Sequence, residues 1–286
     1  MTITIIGTHG IFGSSLITHF INKRPSITVI SDTPPTSPTS INWQIGNLRD
    51  TPFLLRALDG TTDLVIHFSD PPYCRPTDFI PERDIISELI TVAQHHKIRI
   101  HYMVPLYTKS IGIRGFQWWR LRLKEHAITQ LRNSGLPVIF YHYSLPMELL
   151  EMMAQLKSGL VIPKCTQRGY YWIAIADIVN SLLHAITLPH EPNPIDYYLQ
   201  GPERLIPITA AKRLAHYRPH ISVTRIPYWP IQISALFSKR IHYIDRLIQA
   251  ITLRDDPFLA EKTWTELGQP QITLAIFANT IHHDTP

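Results

Sequence analysis

Three glycines spaced three residues apart constrain this chain more than any other feature. They follow a β-branched run, Thr2–Ile6, and precede a helical apolar pattern over Ile11–Ile21. In such a strand–turn–helix unit the first glycine permits a tight bend, the second lets the backbone approach a pyrophosphate, and the third lets helix and strand pack closely. The helix start then offers unpaired N–H groups to phosphate. The pattern therefore predicts a dinucleotide-binding turn over Gly7, Thr8, His9, Gly10, Ile11, Phe12 and Gly13.

An acidic residue lies at the end of the next β-rich run. Asp32 follows Ile27–Ile30 and stands 19 residues beyond Gly13. A carboxylate there accepts hydrogen bonds from ribose hydroxyls and repels a 2′-phosphate. We therefore expect NAD(H) to be favoured, with NADP(H) possible because Ser31 and Thr33 leave room for it. The alternative is that the three glycines only tighten a loop and that Asp32 is a solvated turn residue.

Strand-like and helix-like segments alternate six times over the first half of the chain. The strands are predicted at Thr2–Ile6, Ile27–Ile30, Ile41–Ile45, Leu64–Phe68, Ile98–Val104 and Val138–Tyr141, and the later helices at Asp50–Leu58, Asp84–His96 and Gln117–Arg132. This rhythm predicts an α/β fold, a Rossmann-like doubly wound parallel sheet. Residues 1–146 would form the NAD(P)-binding core, and 147–286 a smaller C-terminal lobe, some segments of which return to the core.

Composition excludes several other classes of protein. Hydrophobic residues make up 44% and charged residues 17% of 286 positions, as in globular domains. The net charge is +5, but Lys and Arg are dispersed and no nucleic-acid-binding motif is present. The two cysteines form no CxxC pair, the 15 histidines show no metal-ligand spacing, and no apolar run could span a membrane. We expect a cytoplasmic protein without a metal or a secretory signal.

Further motifs resemble a known family. Gly46-Asn47-Leu48-Arg49-Asp50 stands where such proteins carry a Gly-Asp-Leu, and Val65-Ile66-His67-Phe68 is similar to their fourth strand. Later landmarks are Lys124 with Ser134-Gly135-Leu136, Ile175-Ala176-Asp177-Ile178-Val179, and Gly201-Pro202-Glu203. Together they resemble extended and atypical short-chain dehydrogenase/reductases, especially NmrA-like members and the related accessory subunit of respiratory complex I. The resemblance implies cofactor contacts at Asn47, Leu48, Phe68, Ser69 and Lys124, besides the glycine turn and Asp32.

The catalytic positions depart from that family. Its active members pair a Tyr with a Lys four residues later, so that the ammonium lowers the phenol pKa and holds the nicotinamide ribose. Lys124 fits the lysine, but Arg120 occupies the tyrosine position and stays protonated. The strand-end hydroxyl is also missing, since Met103 and Val104 stand there. The triad is thus degenerate, and Tyr107 is the substitute acid/base favoured by chain position, ahead of two others, Tyr73 and Tyr143.

Three features keep open alternatives. Arg120 and Lys124 form either an anion-holding face or, with Arg122, a solvated basic helix. Where NmrA-like proteins carry Arg-Pro, this chain has His142-Tyr143-Ser144-Leu145-Pro146, and Pro146 either closes over the nicotinamide ring or is a loop proline, the second being favoured. The segment Tyr228–Leu253 mixes aromatic and basic residues, and we interpret it as a lobe helix packed over the cleft in preference to a membrane-surface segment.

Two functions compete. One is an oxidoreductase that moves hydride between NAD(P)H and a small carbonyl or quinone. The other is an NAD(P)-binding sensor or assembly protein without turnover, whose partner would be another protein. The fold favours the first and the missing hydroxyls favour the second.

Overall fold

The computed structural model describes residues 2–7, 10–23, 26–34, 41–69, 73–155, 159–189 and 192–280, except the side chains at 11, 152, 154 and 155. The chain divides into two compact units. Unit 1 comprises Met1–Val104, Trp119–His142 and Leu182–Tyr197, and unit 2 comprises Pro105–Trp118, Tyr143–Ser181 and Tyr198–Pro286.

The strands and helices are numbered in chain order. The strands are β1 (Ile3–Ile6), β2 (Ile27–Ser31), β3 (Asn42–Ile45), β4 (Asp63–Ile66), β5 (Arg99–Pro105), β6 (Val138–Tyr143), β7 (Gly159–Pro163), β8 (Tyr170–Trp172), β9 (Ile195–Leu199), β10 (Glu203–Leu205) and β11 (Ser222–Ile226). The helices are α1 (Gly10–Lys23), α2 (Thr51–Ala57), α3 (Pro81–Asp84), α4 (Ile86–His96), α5 (Trp119–Arg132), α6 (Glu148–Gln155), α7 (Ile175–Thr187), α8 (Pro207–Tyr217), α9 (Trp229–Ala235), α10 (Lys239–Leu253), α11 (Glu261–Leu267) and α12 (Leu274–Thr280).

A seven-stranded sheet has the order β3-β2-β1-β4-β5-β6-β9. The pairs from β3 through β5 are parallel, with Ile3 opposite both Ile27 and Asp63. Strands β1, β4, β5 and β6 are buried along their whole length, as expected for apolar runs covered on both faces. The predicted α/β fold with a doubly wound sheet is confirmed.

The core of unit 1 packs α2, α4 and α5 against β4, β5 and β6. Leu54, Leu89 and Leu131 are among its fully buried members. The single helix predicted over Asp84–His96 is wrong in one respect, because α3 ends at Asp84 and α4 starts at Ile86. Ile85 between them has a non-helical φ of −135°.

A buried charged network ties β4 to β5. Arg99 Nε donates to Asp63 Oδ1 at 2.7 Å, and its terminal nitrogens donate to the carbonyls of Ile186 (2.6 Å) and Leu188 (3.1 Å) at the end of α7. His101 bonds the same Asp63 oxygen at 3.1 Å. Burial opposes ionisation of Asp63, but hydrogen bonds led by His101 outweigh it and lower its pKa to about 2.

Unit 2 contains two small sheets that the sequence does not predict. β7 pairs with β11 in parallel, and β8 pairs with β10 in antiparallel orientation. Its apolar core includes Trp172, Leu214 and Phe277. The single lobe helix predicted over Tyr228–Leu253 is two helices. α9 ends at Ala235 and α10 starts at Lys239, and the Ser238 hydroxyl caps α10 by accepting from Ile241 N.

Among the described residues, no helix combines the length and the apolar character needed to cross a lipid bilayer.

Candidate functional site

The first glycine of the turn is held against the end of β4. Gly7 has a φ of +87°, which side chains of L residues rarely adopt. A Cβ at Gly7 would lie 1.9 Å from the His67 carbonyl oxygen and 2.9 Å from Phe68 Cδ1. Only glycine therefore permits β1 to turn toward α1 while its backbone touches β4.

The second glycine begins α1 and is exposed. Gly10 has a φ of +79°, and among the described residues a Cβ there would meet only Ser69, at 3.5 Å from its Oγ. The 14-residue helix it opens has no acidic residue in its first turn. Gly13 is buried one turn later, Thr8 and His9 lie outside the described residues, and the Ile11 side chain does also. The first turn of α1 therefore contributes no carboxylate that would repel an anion bound at the helix start.

An aromatic stack closes the turn from the β4 side. Phe12 lies on the ring of His67 with centroids 4.2 Å apart and planes 18° apart. Burial, with the nearby positive charge of Lys124, lowers the pKa of His67 to about 3. The imidazole is therefore neutral at physiological pH. The stacking of His67 on Phe12 was not predicted from the sequence, although a histidine at the end of a buried strand beside a glycine turn was an available signal.

Lys124 is paired inside unit 1. Its side chain is 5% exposed and forms a close ion pair with Glu82, which is 2% exposed. Its Nζ also donates to the Phe68 carbonyl at 3.1 Å. The ammonium thus links α5 to α3 and to the chain just after β4, beside the residues that touch Gly7. Glu82 is a site residue that the sequence analysis did not identify.

Arg120 is buried one turn before Lys124. Its Nη2 donates to the Cys74 carbonyl at 2.8 Å, and its guanidinium lies over the Trp119 ring at 4.8 Å. The interpretation of Arg120, Arg122 and Lys124 as a solvated basic face is wrong for the first and third, and only Arg122 is exposed. These two side chains are buried because they bond carbonyl or carboxylate groups of unit 1, the Cys74 carbonyl for Arg120 and the Phe68 carbonyl and Glu82 for Lys124.

The predicted adenosine contacts share one edge of the sheet. Gly46 N donates to the Ser31 carbonyl at 3.0 Å, so the ends of β2 and β3 are neighbours. Asp32 and Asn47, the next residues along each strand, are exposed. Asn47 Oδ1 accepts from Arg49 N at 3.0 Å, which fixes its side chain. Leu48 is buried in the apolar core of unit 1.

Unit 2 carries a pocket lined by tyrosines. Its lining includes Tyr107, Tyr143, Ser144, Tyr170 and Arg254. Tyr107 follows β5 and Tyr143 ends β6. Met103 and Val104 are buried within β5 and supply no hydroxyl. Of the three tyrosines named as substitute acid/base candidates, the pocket thus contains Tyr107 and Tyr143.

Buried polar groups shape that pocket. Asp256 accepts from Ser144 Oγ (2.6 Å), Tyr171 N (2.8 Å) and Gln200 Nε2 (2.6 Å). Burial raises the pKa of Asp256 despite these donors. Burial also raises the pKa of Tyr170, whose hydroxyl donates to the Ile251 carbonyl at 3.2 Å. Tyr170 is therefore committed to a structural bond and is a poor proton donor.

No protein-family model matches the chain, and no curated protein matches it by sequence. Solved structures do match. An NADPH-dependent quinone oxidoreductase from Escherichia coli, solved with NADPH, has a TM-score of 0.71 at 17% identity, covering 98% of this chain and 100% of that one. A triphenylmethane reductase from Citrobacter sp., solved with NADP(H), has 0.71 at 14%, covering 98% and 99%.

A nucleoside-diphosphate-sugar epimerase from Staphylococcus aureus has a TM-score of 0.69 at 15% identity, covering 97% of this chain and 99% of that one. The TM-scores establish a shared architecture, and identities this low leave the activity open. The chain therefore has the Rossmann-like fold of these reductases and epimerases over nearly its whole length.

Proposed function

We propose that the protein binds a nicotinamide dinucleotide, NAD(H) in preference to NADP(H), and acts as a short-chain dehydrogenase/reductase-like oxidoreductase on a small carbonyl or quinone. The observation that carries the proposal is the glycine turn. Gly7 is locked against the end of β4, and Gly10 leaves the start of α1 open. These are the two backbone features that a pyrophosphate requires at such a turn.

The remaining contacts follow from the same edge of the sheet. Asp32 would accept from the adenosine ribose hydroxyls and Asn47 would meet the adenine edge, since an amide both donates and accepts. Ser69 stands beside Gly10, where its hydroxyl could bond a phosphate. Neighbours described with NADPH or NADP(H) support the cofactor class. The choice of NAD(H) rests on the Asp32 carboxylate alone.

When bound, the reduced nicotinamide would supply a hydride. The chain must then orient the substrate and deliver a proton, and Arg120, Met103 and Val104 can do neither. A quinone needs less help, because it can accept hydride first and take its proton from water. Tyr107 is the candidate proton donor for a carbonyl substrate.

The test is NADH binding to a glycine variant with a matched control. Gly10→Val should abolish binding because its side chain would occupy the pyrophosphate position. Gly60→Val is the control, since Gly60 also has a positive φ, +71°, and open space around it. Both variants should lose comparable stability, roughly 1–2 kcal/mol. If calorimetry shows equal NADH affinity for both variants, the glycine turn does not bind the pyrophosphate.

A non-catalytic NAD(H) sensor is the second candidate. It is favoured by the commitment of Arg120 and Lys124 to buried contacts within unit 1. The two candidates separate when NADH oxidation is followed with a panel of quinones. Binding without oxidation of NADH by any quinone supports the sensor, and turnover supports the oxidoreductase.

A further inference from the structure

Unit 2 exposes an apolar surface that the proposed function does not use. Trp229, Ile233, Leu236 and Phe237 have 60%, 51%, 79% and 86% of their surface exposed. Their spacing places them along one side of α9 and the turn that follows it. We call these four residues the apolar patch. Contiguous apolar side chains of this size and exposure mark an interaction surface.

Cations flank the apolar patch along the chain. Arg225 is the second-last residue of β11, which precedes α9, and Lys239 with Arg240 begins α10, which follows it. All three are exposed. Lys164, also exposed, donates its backbone N–H to the Ile226 carbonyl at 2.9 Å, which places it beside the same strand end. We call these four residues the basic rim.

Acidic side chains are absent from this stretch. The sequence from Arg225 to Ile244 contains no Asp or Glu. The next acid, Asp245, is buried and accepts from the Tyr228 hydroxyl and from Gln249 Nε2. This stretch of the chain therefore contributes apolar and cationic side chains and no carboxylate.

We propose that the apolar patch and the basic rim dock the protein on an anionic lipid surface. A helix with exposed Trp, Leu and Phe on one side inserts them at the boundary between headgroups and acyl chains. Basic residues beside it add electrostatic attraction to anionic lipid, and the two signals together give stable but reversible binding. No described helix is long and apolar enough to span the bilayer, so attachment is peripheral.

The basic rim decides between a lipid surface and a second copy of the chain. A two-fold dimer through the apolar patch would bring the same face of each copy together. The basic rims of both copies would then border the same interface, and like charges repel. An anionic bilayer instead offers opposite charge around an apolar interior.

The experiment is co-sedimentation of the full chain with two kinds of vesicle, pure phosphatidylcholine and phosphatidylcholine with about one third phosphatidylglycerol. Leu236→Ser/Phe237→Ser tests the apolar patch, with Ile45→Ser/Ile276→Ser as its control on exposed apolar residues elsewhere. Lys239→Ser/Arg240→Ser tests the basic rim, with Lys23→Ser/Lys212→Ser as its charge-matched control. These side chains are all exposed, so the fold should survive, and circular dichroism checks this.

We expect the unaltered protein to bind the anionic vesicles, and each test variant to bind at least about tenfold more weakly while its control does not change. Equal binding to neutral vesicles, or no binding to either, overturns the proposal. A dimer in analytical ultracentrifugation that Leu236→Ser/Phe237→Ser dissociates, without vesicle binding, identifies a second copy as the occupant and also overturns it.

Discussion

Removal of one partner of the ion pair between Lys124 and Glu82 should lower the free energy of unfolding much more than removal of both. Both side chains are almost fully buried, at 5% and 2% exposure. Lys124→Met would leave the Glu82 carboxylate buried without its cation, which typically costs about 3–5 kcal/mol. Lys124→Met/Glu82→Leu removes both charges and should recover most of that loss. Urea unfolding followed by fluorescence measures the difference.

The pair formed by Arg132 and Asp196 provides the matched control. Its two atoms are 2.9 Å apart, but both side chains are substantially exposed. Arg132→Met should therefore cost no more than about 1 kcal/mol.

Removal of Lys124 should also make stability depend on pH. In Lys124→Met the buried Glu82 carboxyl has its pKa raised, so the folded state holds a proton that the unfolded state releases above about pH 4. Stability is then lost as pH rises, and the deficit should be smaller at about pH 5 than at about pH 8. A pH-independent loss no larger than that of Arg132→Met would refute the buried pair.

The same variants separate two roles for the lysine. If Lys124 also holds the nicotinamide ribose, the double variant regains stability but loses NADH affinity. If its role is to fix α5 and α3 at the end of β4, the double variant regains both. Calorimetry on the double variant distinguishes these roles because its fold is intact.

Three other outcomes are expected. Because the pKa of folded His67 is about 3, below about pH 6.5 the unfolded state binds a proton that the folded state does not, so stability decreases as the pH is lowered. His67→Phe should remove about 2 kcal/mol of this loss at pH 5, and the exposed His126→Phe should not change it. Gln200→Leu leaves Asp256 short of a donor and Leu259 N without its acceptor, which should cost about 1–3 kcal/mol in urea unfolding, against almost nothing for the exposed Gln269→Leu. NADH absorbance should show negligible reduction of simple ketones, since lost acid/base help is worth about 10² to 10⁴ in rate, and brisk ketone reduction unaffected by Lys124→Ala would place the active site elsewhere.

Local patterns in the sequence predicted most of unit 1. Strands β1 and β4 are short, mostly β-branched or apolar runs buried on both faces, and this burial leaves a continuous apolar signature. β9 escaped prediction because Asp196 interrupts its apolar character. The structure explains that acid through a long-range contact, since Asp196 accepts from Arg132 at 2.9 Å and bonds His142 at 2.7 Å.

In the candidate site too, local motifs were predictable from the sequence and long-range contacts were not. The glycine turn is a local motif, so its spacing alone predicted a strand, a turn and a helix start. Glu82 was not predictable, because Pro81-Glu82-Arg83-Asp84 has the composition of a solvated helix start. Its partner Lys124 is 42 positions away, and only the packing of α5 against α3 makes both charges buried.

The alternation of the two units along the chain also affects how the protein can be truncated and how it folds during translation. Six segments alternate between unit 1 and unit 2, so the polypeptide passes from one to the other five times. A fragment ending at residue 146 would lack Leu182–Tyr197, which belongs to unit 1 and carries most of β9. During translation, unit 1 cannot be complete until residue 197 has left the ribosome, by which time Tyr143–Ser181 of unit 2 has already emerged. The two units must therefore mature together instead of one after the other.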